Sequence, residues 1–92
     1  MGVLAHAGDG NMHPMIPADR DDKEEWRRVE KAFDEIFQAA ANLDGTLSGE
    51  HGIGLAKSAY LPLVMNKDTI EFMKKIKQAI DPDLILNPGK FV

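Results

Sequence analysis

All three histidines of the chain lie in two glycine-rich segments. His6 and His13 bracket the first segment, H-A-G-D-G-N-M-H, and His51 follows Glu50 in the second, G-T-L-S-G-E-H-G-I-G. A single histidine most often has a structural or surface role, whereas three histidines confined to two turns are hard to attribute to chance. Imidazole and carboxylate groups are the usual ligands of a catalytic metal ion that keeps open coordination positions. The pattern therefore predicts a metal-dependent reaction.

The first segment has the spacing of a hairpin that would bring two imidazoles together. Gly8 and Gly10 permit a tight turn, so His6 and His13 are expected on paired strands with both rings on one face. Two histidines and one carboxylate form a common catalytic set, and Glu50 is the carboxylate that the second segment offers. We predict that His6, His13 and Glu50 bind one divalent cation. Nitrogen and oxygen donors without sulfur suit zinc, manganese or iron.

His51 is predicted to have a different role from its neighbour. If the Glu50 side chain points to the metal, the next side chain in an extended loop points the other way, toward a substrate. Histidine exchanges protons near neutral pH, and a metal ion that polarises a hydroxyl makes its proton easier to remove. His51 is therefore the predicted general base. The alternative is that residues 49–54 form only a mobile connection.

The elements that must position these residues form a small α+β unit with two main helices and a small antiparallel sheet. Asp22 and Glu25 have capping-box spacing at the start of the first helix, and Asp81-Pro82 ends the second. The predicted elements are strands over residues 2–7 and 12–16 around a turn at 8–11, a helix from Asp22 to a stop at Asn42 to Gly45, a helical turn over 55–61, and a helix from an Asn66 cap to Ile80. The side chains expected in the core are Trp26, Phe33 and Phe37, and those expected on the solvent face of the second helix are Lys74, Lys75 and Lys77.

Length and composition narrow the class of protein. A chain of 92 residues with 43% hydrophobic and 28% charged residues suits one small domain or a piece of a larger one. The net charge of -4 gives no basic surface for nucleic acid, and the absence of cysteine excludes disulfides, thiolate metal sites and a thiol nucleophile. No apolar run approaches the ~18 residues of a membrane helix, so a cytoplasmic location is expected. The open edges of a small sheet predict a homo-oligomer.

The two histidine segments, together with L-N-P-G-K near the end of the chain, resemble the C-terminal segment of the FAD-linked oxidases of the vanillyl-alcohol oxidase type. The resemblance covers residues 2–92 and is greatest to the flavin-dependent 2-hydroxyacid dehydrogenases of the glycolate oxidase D subunit and D-lactate dehydrogenase group. It implies a ferredoxin-like cap domain over residues 1–92, with the FAD-binding domain absent. It also implies that His6, His13 and Glu50 bind the metal, that His51 accepts the proton of the substrate hydroxyl, and that Asn87 lies near the FAD.

The resemblance further implies two partners, a small 2-hydroxy acid substrate and the missing FAD-binding domain or subunit. Met15 occupies a place where hydroxyglutarate-specific relatives tend to have a polar residue, which favours a smaller substrate such as glycolate or lactate. The fragment alone is expected to carry no flavin and to be inactive. Two other functions remain open, a non-catalytic metal-binding or assembly module from a truncated gene and a stand-alone metallohydrolase, in which L-N-P-G-K would have no role.

Overall fold

The computed structural model describes residues 1–90 and contains an antiparallel hairpin, two α-helices and short 3₁₀ segments. The predicted α+β class is therefore confirmed. The chain divides into two compact units, residues 1–39 and the chain from residue 40 onward. The last two residues of the predicted extended tail, Phe91 and Val92, lie outside the described residues.

The first unit begins with the hairpin that the histidine spacing predicts. Strand β1, Gly2–His6, pairs antiparallel with strand β2, Asn11–Met15. The connection is a 3₁₀ turn over Ala7–Asp9 that ends at Gly10. Gly10 has a φ of 70°, and its amide donates a hydrogen bond to the Ala7 carbonyl oxygen at 3.2 Å. The turn therefore lies one residue earlier than predicted, because Asn11 already pairs with His6.

Helix α1, Lys23–Asn42, starts as the capping pattern predicts. The Asp22 carboxylate accepts hydrogen bonds from the amides of Glu24 and Glu25, both at 3.1 Å, and satisfies two of the unpaired donors of the first turn. Val29 is the buried residue of this helix. The three aromatic side chains predicted in the core are only half-buried: Trp26, Phe33 and Phe37.

At the end of α1, Gly45 lets the chain pass close to the last turn of the helix, and it does not itself have a left-handed backbone. The left-handed residue is Asp44, with a φ of 61°. The Gly45 amide donates to the Ala40 carbonyl oxygen at 2.8 Å, which satisfies one of the last helical carbonyls. A Cβ atom at position 45 would lie 3.0 Å from that same oxygen, so a larger residue would push the chain away from the helix end.

The second unit contains a 3₁₀ helix, Ser58–Leu63, and helix α2, Lys67–Ile80. The 3₁₀ helix begins three residues later than the predicted helical turn, and its Leu61 is only 2% exposed. The predicted cap of α2 is confirmed, since the Asn66 side chain accepts a hydrogen bond from the Thr69 amide at 2.8 Å. Within residues 1–90, no helix combines the length and the apolar character needed to cross a membrane.

Candidate functional site

The hairpin places His6 and His13 on one face. His13 lies opposite Leu4 in the register, and His6 is two residues along β1 from Leu4. Alternate residues of a strand share a face, so the two histidines are diagonal neighbours. Their ring centroids are 5.9 Å apart and the ring planes are nearly perpendicular, at 86°. The prediction that both imidazoles share one face is confirmed.

The separation of the two rings suits a shared cation. A ring nitrogen of His6 and one of His13 lie within 4.8 Å of each other. Two nitrogens bound to one zinc ion at ~2.0–2.1 Å each are at most ~4.2 Å apart, so the two rings lie close to the separation that a shared ion requires. His6 is exposed and His13 is half-buried, which leaves one side of the pair accessible to further ligands.

Glu50 and His51 lie at the tip of a short closed loop in the second unit. The Ser48 hydroxyl accepts a hydrogen bond from the Gly52 amide at 2.8 Å, and Gly52 has a φ of 82°. Oε1 of Glu50 is 3.7 Å from Nε2 of His51, and the two side chains are 52% and 72% exposed. The opposite orientations predicted for these neighbours are therefore not observed, because the backbone forms a closed loop instead of an extended segment.

The base of this loop is fixed by a contact that the sequence analysis missed. The Lys57 ammonium group donates a hydrogen bond to the Leu47 carbonyl oxygen at 2.9 Å, and Leu47 is only 5% exposed. From its residue type alone, a lysine is expected to be solvated or to pair with a carboxylate, whereas Lys57 donates to a backbone carbonyl oxygen. The bond from Gly52 to Ser48 was also missed, although serine side chains commonly bond nearby backbone amides in turns.

The turn that leads into and includes the L-N-P-G-K motif, residues 84–90, has an unusual backbone. Asn87 has a φ of 45° and Leu84 a φ of 52°, both in the left-handed region. Asparagine adopts this region several times more often than most residues, whereas a bulky leucine rarely does. Asn87 lines an open, mainly apolar groove of about 380 Å³. The apolar walls of the groove are formed by Met73, Ile76, Ile80 and Leu86.

Asp81 joins the end of α2 to this turn. Its carboxylate is buried, with the residue only 6% exposed, and accepts hydrogen bonds from the Ile85 and Leu86 amides at 3.0 Å each. The Lys77 ammonium group lies 2.7 Å from the same carboxylate. The prediction that Lys77 lies on the solvent face of α2 is therefore wrong. Its ammonium group lies between α2 and the turn. The hydrogen bond from Lys77 is the main cause that lowers the pKa of Asp81, and the two backbone amides act in the same direction.

The lowered pKa of Asp81 predicts a specific loss of stability in acid. A carboxylate with a depressed folded-state pKa stabilises the fold above its unfolded pKa, about 3.9, and this contribution is lost as the pH falls through the lower folded value. We expect the urea midpoint of the wild type to exceed that of Asp81→Asn at about pH 6, and the difference to shrink steadily below about pH 4. Asp83→Asn, an exposed change on the same turn, is the control. A difference that stays constant over this range would contradict the prediction.

Comparison with known proteins identifies the family. The family described as "FAD linked oxidases, C-terminal domain" matches residues 1–91. The chain is 53% identical over 88 residues to glycolate oxidase subunit GlcD of Bacillus subtilis (strain 168), covering 96% of this chain and 19% of that protein. It is 44% identical over 85 residues to glycolate oxidase subunit GlcD of Escherichia coli (strain K12), covering 92% of this chain and 17% of that protein.

A plant relative gives the same result. The chain is 41% identical over 90 residues to D-lactate dehydrogenase [cytochrome], mitochondrial, of Arabidopsis thaliana, covering 98% of this chain and 16% of that protein. The chain thus spans less than a fifth of the length of these three relatives. No solved structure matched the chain. With nearly every residue included in the family match, the chain belongs to the C-terminal domain family of the FAD-linked oxidases.

Proposed function

We propose that this chain supplies the metal-binding and proton-accepting residues of a flavin-dependent dehydrogenase that oxidises a small 2-hydroxy acid to the 2-oxo acid. His6, His13 and Glu50 bind one divalent cation, and His51 is the general base. The observation that carries the proposal is the pair His6 and His13 on one face of the hairpin, with ring nitrogens within 4.8 Å, in a member of the FAD-linked oxidase family.

The donor set defines the kind of metal. Two imidazoles and the Glu50 carboxylate give three protein ligands, which leaves at least one position for a substrate oxygen. Nitrogen and oxygen donors favour zinc, manganese or iron over metals that prefer sulfur. The exposed carboxylate of Glu50 can approach a cation without the cost of a buried unpaired charge. A divalent cation held by these three residues would polarise the hydroxyl and carboxylate groups of a substrate.

His51 accepts the hydroxyl proton in this proposal. Its ring is 72% exposed and lies 3.7 Å from Glu50, so it is available to a substrate that approaches the metal ligand. Two hydrogen bonds restrain the loop that carries Glu50 and His51, one from the Gly52 amide to the Ser48 hydroxyl and one from Lys57 to the Leu47 carbonyl oxygen. This restraint lowers the entropy lost when the two side chains are oriented. Asn87 would contact a bound flavin, and that flavin would supply the acceptor for the hydride of the substrate carbon.

A small substrate is supported by the side chains around the histidines. Met15 lies two residues after His13 in β2 and therefore shares its face of the hairpin. The flexible apolar thioether of Met15 offers no positive charge to the second carboxylate of a dicarboxylic substrate. Glycolate and D-lactate carry only one carboxylate, and the names of the relatives refer to these two acids. We therefore propose a monocarboxylic 2-hydroxy acid as substrate.

Calorimetric titration with zinc and with manganese tests the metal ligands. The wild-type chain is expected to bind one cation. The His6→Ala, His13→Ala double variant should lose at least ~100-fold in affinity, because it lacks two of three protein ligands. Circular dichroism checks that the helices persist in the variant.

The third histidine provides the matched control. His51→Ala removes the same kind of side chain and should leave the affinity for the cation within ~3-fold, since removal of a group that does not bind the metal has little effect on it. Equal binding by the wild type and the double variant would show that His6 and His13 are not ligands. A large loss in His51→Ala would instead show that the roles of Glu50 and His51 are assigned wrongly.

A further inference from the structure

The turn after α2 holds two residues in the left-handed region of the backbone, which a leucine side chain disfavours. Leu84 and Asn87 have φ values of 52° and 45°. A non-glycine residue keeps such a conformation only where the surrounding interactions determine the backbone. The hydrogen bonds made by this turn must therefore maintain its left-handed backbone.

Those interactions converge on the carboxylate of Asp81. Its Oδ1 accepts the Ile85 amide and its Oδ2 accepts the Leu86 amide, each at 3.0 Å. Lys77 donates to Oδ2 of Asp81 and also to the Leu86 carbonyl oxygen. Leu86 is thus held at both its amide and its carbonyl group, and the peptide bond that leads into Asn87 is fixed in orientation.

This arrangement requires a carboxylate at position 81. Three donors, two amides and one ammonium group, share the two oxygens of one side chain. An asparagine would keep one oxygen but would turn an NH₂ group toward one of these donors, since its amide has only one acceptor atom. The burial of position 81 makes this mismatch costly, because an asparagine NH₂ group placed there would face other donors without access to water.

We infer that Asp81, together with Lys77, is a positioning residue that fixes the turn at Leu84–Asn87 so that Asn87 lines the apolar groove in the orientation needed to contact a flavin. The inference rests on the proposed function for the contact between Asn87 and the flavin. The effect of Asp81 on the reaction is exerted through the Leu86 peptide and Asn87. Its contribution to the turn itself can be measured in the chain without any cofactor.

Hydrogen exchange measured by NMR tests the clamp directly. In Asp81→Asn and in Lys77→Met, the amides of Ile85 and Leu86 are expected to exchange at least about tenfold faster than in the wild type, because local opening of the turn becomes easier. Lys77→Arg keeps the donors and should retain most of the protection. Two exposed neighbours give matched controls, Asp83→Asn and Lys75→Met, and neither should change exchange at these two amides. Unchanged exchange in both Asp81→Asn and Lys77→Met would overturn the inference.

Flavin reduction tests whether the clamp positions Asn87. In the protein at its natural length, loaded with FAD and metal, Asp81→Asn should lower the rate of flavin reduction by 2-hydroxy acid about tenfold, with KM within twofold, because misplacement slows the step and not substrate binding. The visible spectrum of the bound FAD should also shift. Faster exchange together with an unchanged rate and spectrum would overturn the positioning role. A wild-type protein that binds no FAD would refute the proposed function instead, and exchange at Ile85 and Leu86 would still decide whether Asp81 holds the turn.

Discussion

Replacement of His51 by asparagine is expected to lower the rate of flavin reduction by ~10²–10⁴-fold in the natural-length protein, because an amide cannot accept the hydroxyl proton. The metal content should not change, since His51 is not a proposed ligand. Anaerobic stopped-flow measurement with glycolate or D-lactate gives the rate, and elemental analysis of the purified protein gives the metal content.

An exposed neighbour supplies the control for this variant. Leu55→Asn introduces the same side chain four residues later, where the residue is 62% exposed, and should leave the rate nearly unchanged. A His51→Asn variant that keeps the wild-type rate would show that His51 is not the base. The Glu50 carboxylate, whose Oε1 lies 3.7 Å from Nε2 of His51, would then be the next candidate for the base.

Replacement of Glu50 by glutamine is expected to reduce both metal content and rate. The amide keeps the shape of the side chain but loses the charge that a divalent cation attracts. Loss of the cation removes several kcal/mol of charge stabilisation in the reaction, which corresponds to a decrease of about 10³-fold in the rate. Elemental analysis of the purified protein and stopped-flow reduction of the flavin measure the two effects.

The control for this prediction is another exposed glutamate of the second unit. Glu71 lies on α2, where it forms a surface ion pair with Lys74 at 3.6 Å. Such pairs contribute little, so Glu71→Gln should change neither metal content nor rate. If Glu50→Gln retained full metal content, a different residue would have to supply the third ligand. Normal metal content together with a low rate is expected only for His51→Asn, so the two variants can be told apart.

The sequence was sufficient for the parts of the fold that depend on local rules. The hairpin follows from glycine-rich spacing between His6 and His13, and its one-residue shift in the turn reflects the pairing of His6 with Asn11. Both helix starts follow from side chains that bond to amides three residues or fewer away, Asp22 and Asn66. Local signals of this kind depend on few residues and can be recognised without the rest of the chain.

The parts that were missed depend on contacts between segments. Lys77 was assigned to solvent because its helix position is polar, yet its ammonium group bridges α2 and the turn nine residues later. Asp81 was recognised only as a helix end, since nothing in D-P-D-L-I-L shows that one carboxylate accepts two amides of the following loop. Leu84 carries a left-handed backbone that leucine does not favour, so a residue-based prediction could not assign it.

The orientation of Glu50 relative to His51 shows the same limit. Neighbouring side chains point in opposite directions only in extended backbone. Glu50 and His51 do not, because the loop is closed by the hydrogen bond that the Gly52 amide donates to the Ser48 hydroxyl. The types of residue in the loop were therefore informative about chemistry, whereas their directions depended on a hydrogen bond that closes the loop. The roles proposed for Glu50 and His51 consequently rest on the chemistry of the two groups, a carboxylate that binds metal and an imidazole that accepts a proton, and not on their orientation.

The central claim, that this chain provides a metal-dependent step in the oxidation of a 2-hydroxy acid by a flavin, is tested most directly by anaerobic reduction of bound FAD before and after chelation. The natural-length protein loaded with metal is expected to lose its flavin absorbance on addition of glycolate or D-lactate. Chelation should stop this loss, and zinc or manganese should restore it. Equally fast reduction after chelation, or no reduction by either acid in the metal-loaded protein, would contradict the account.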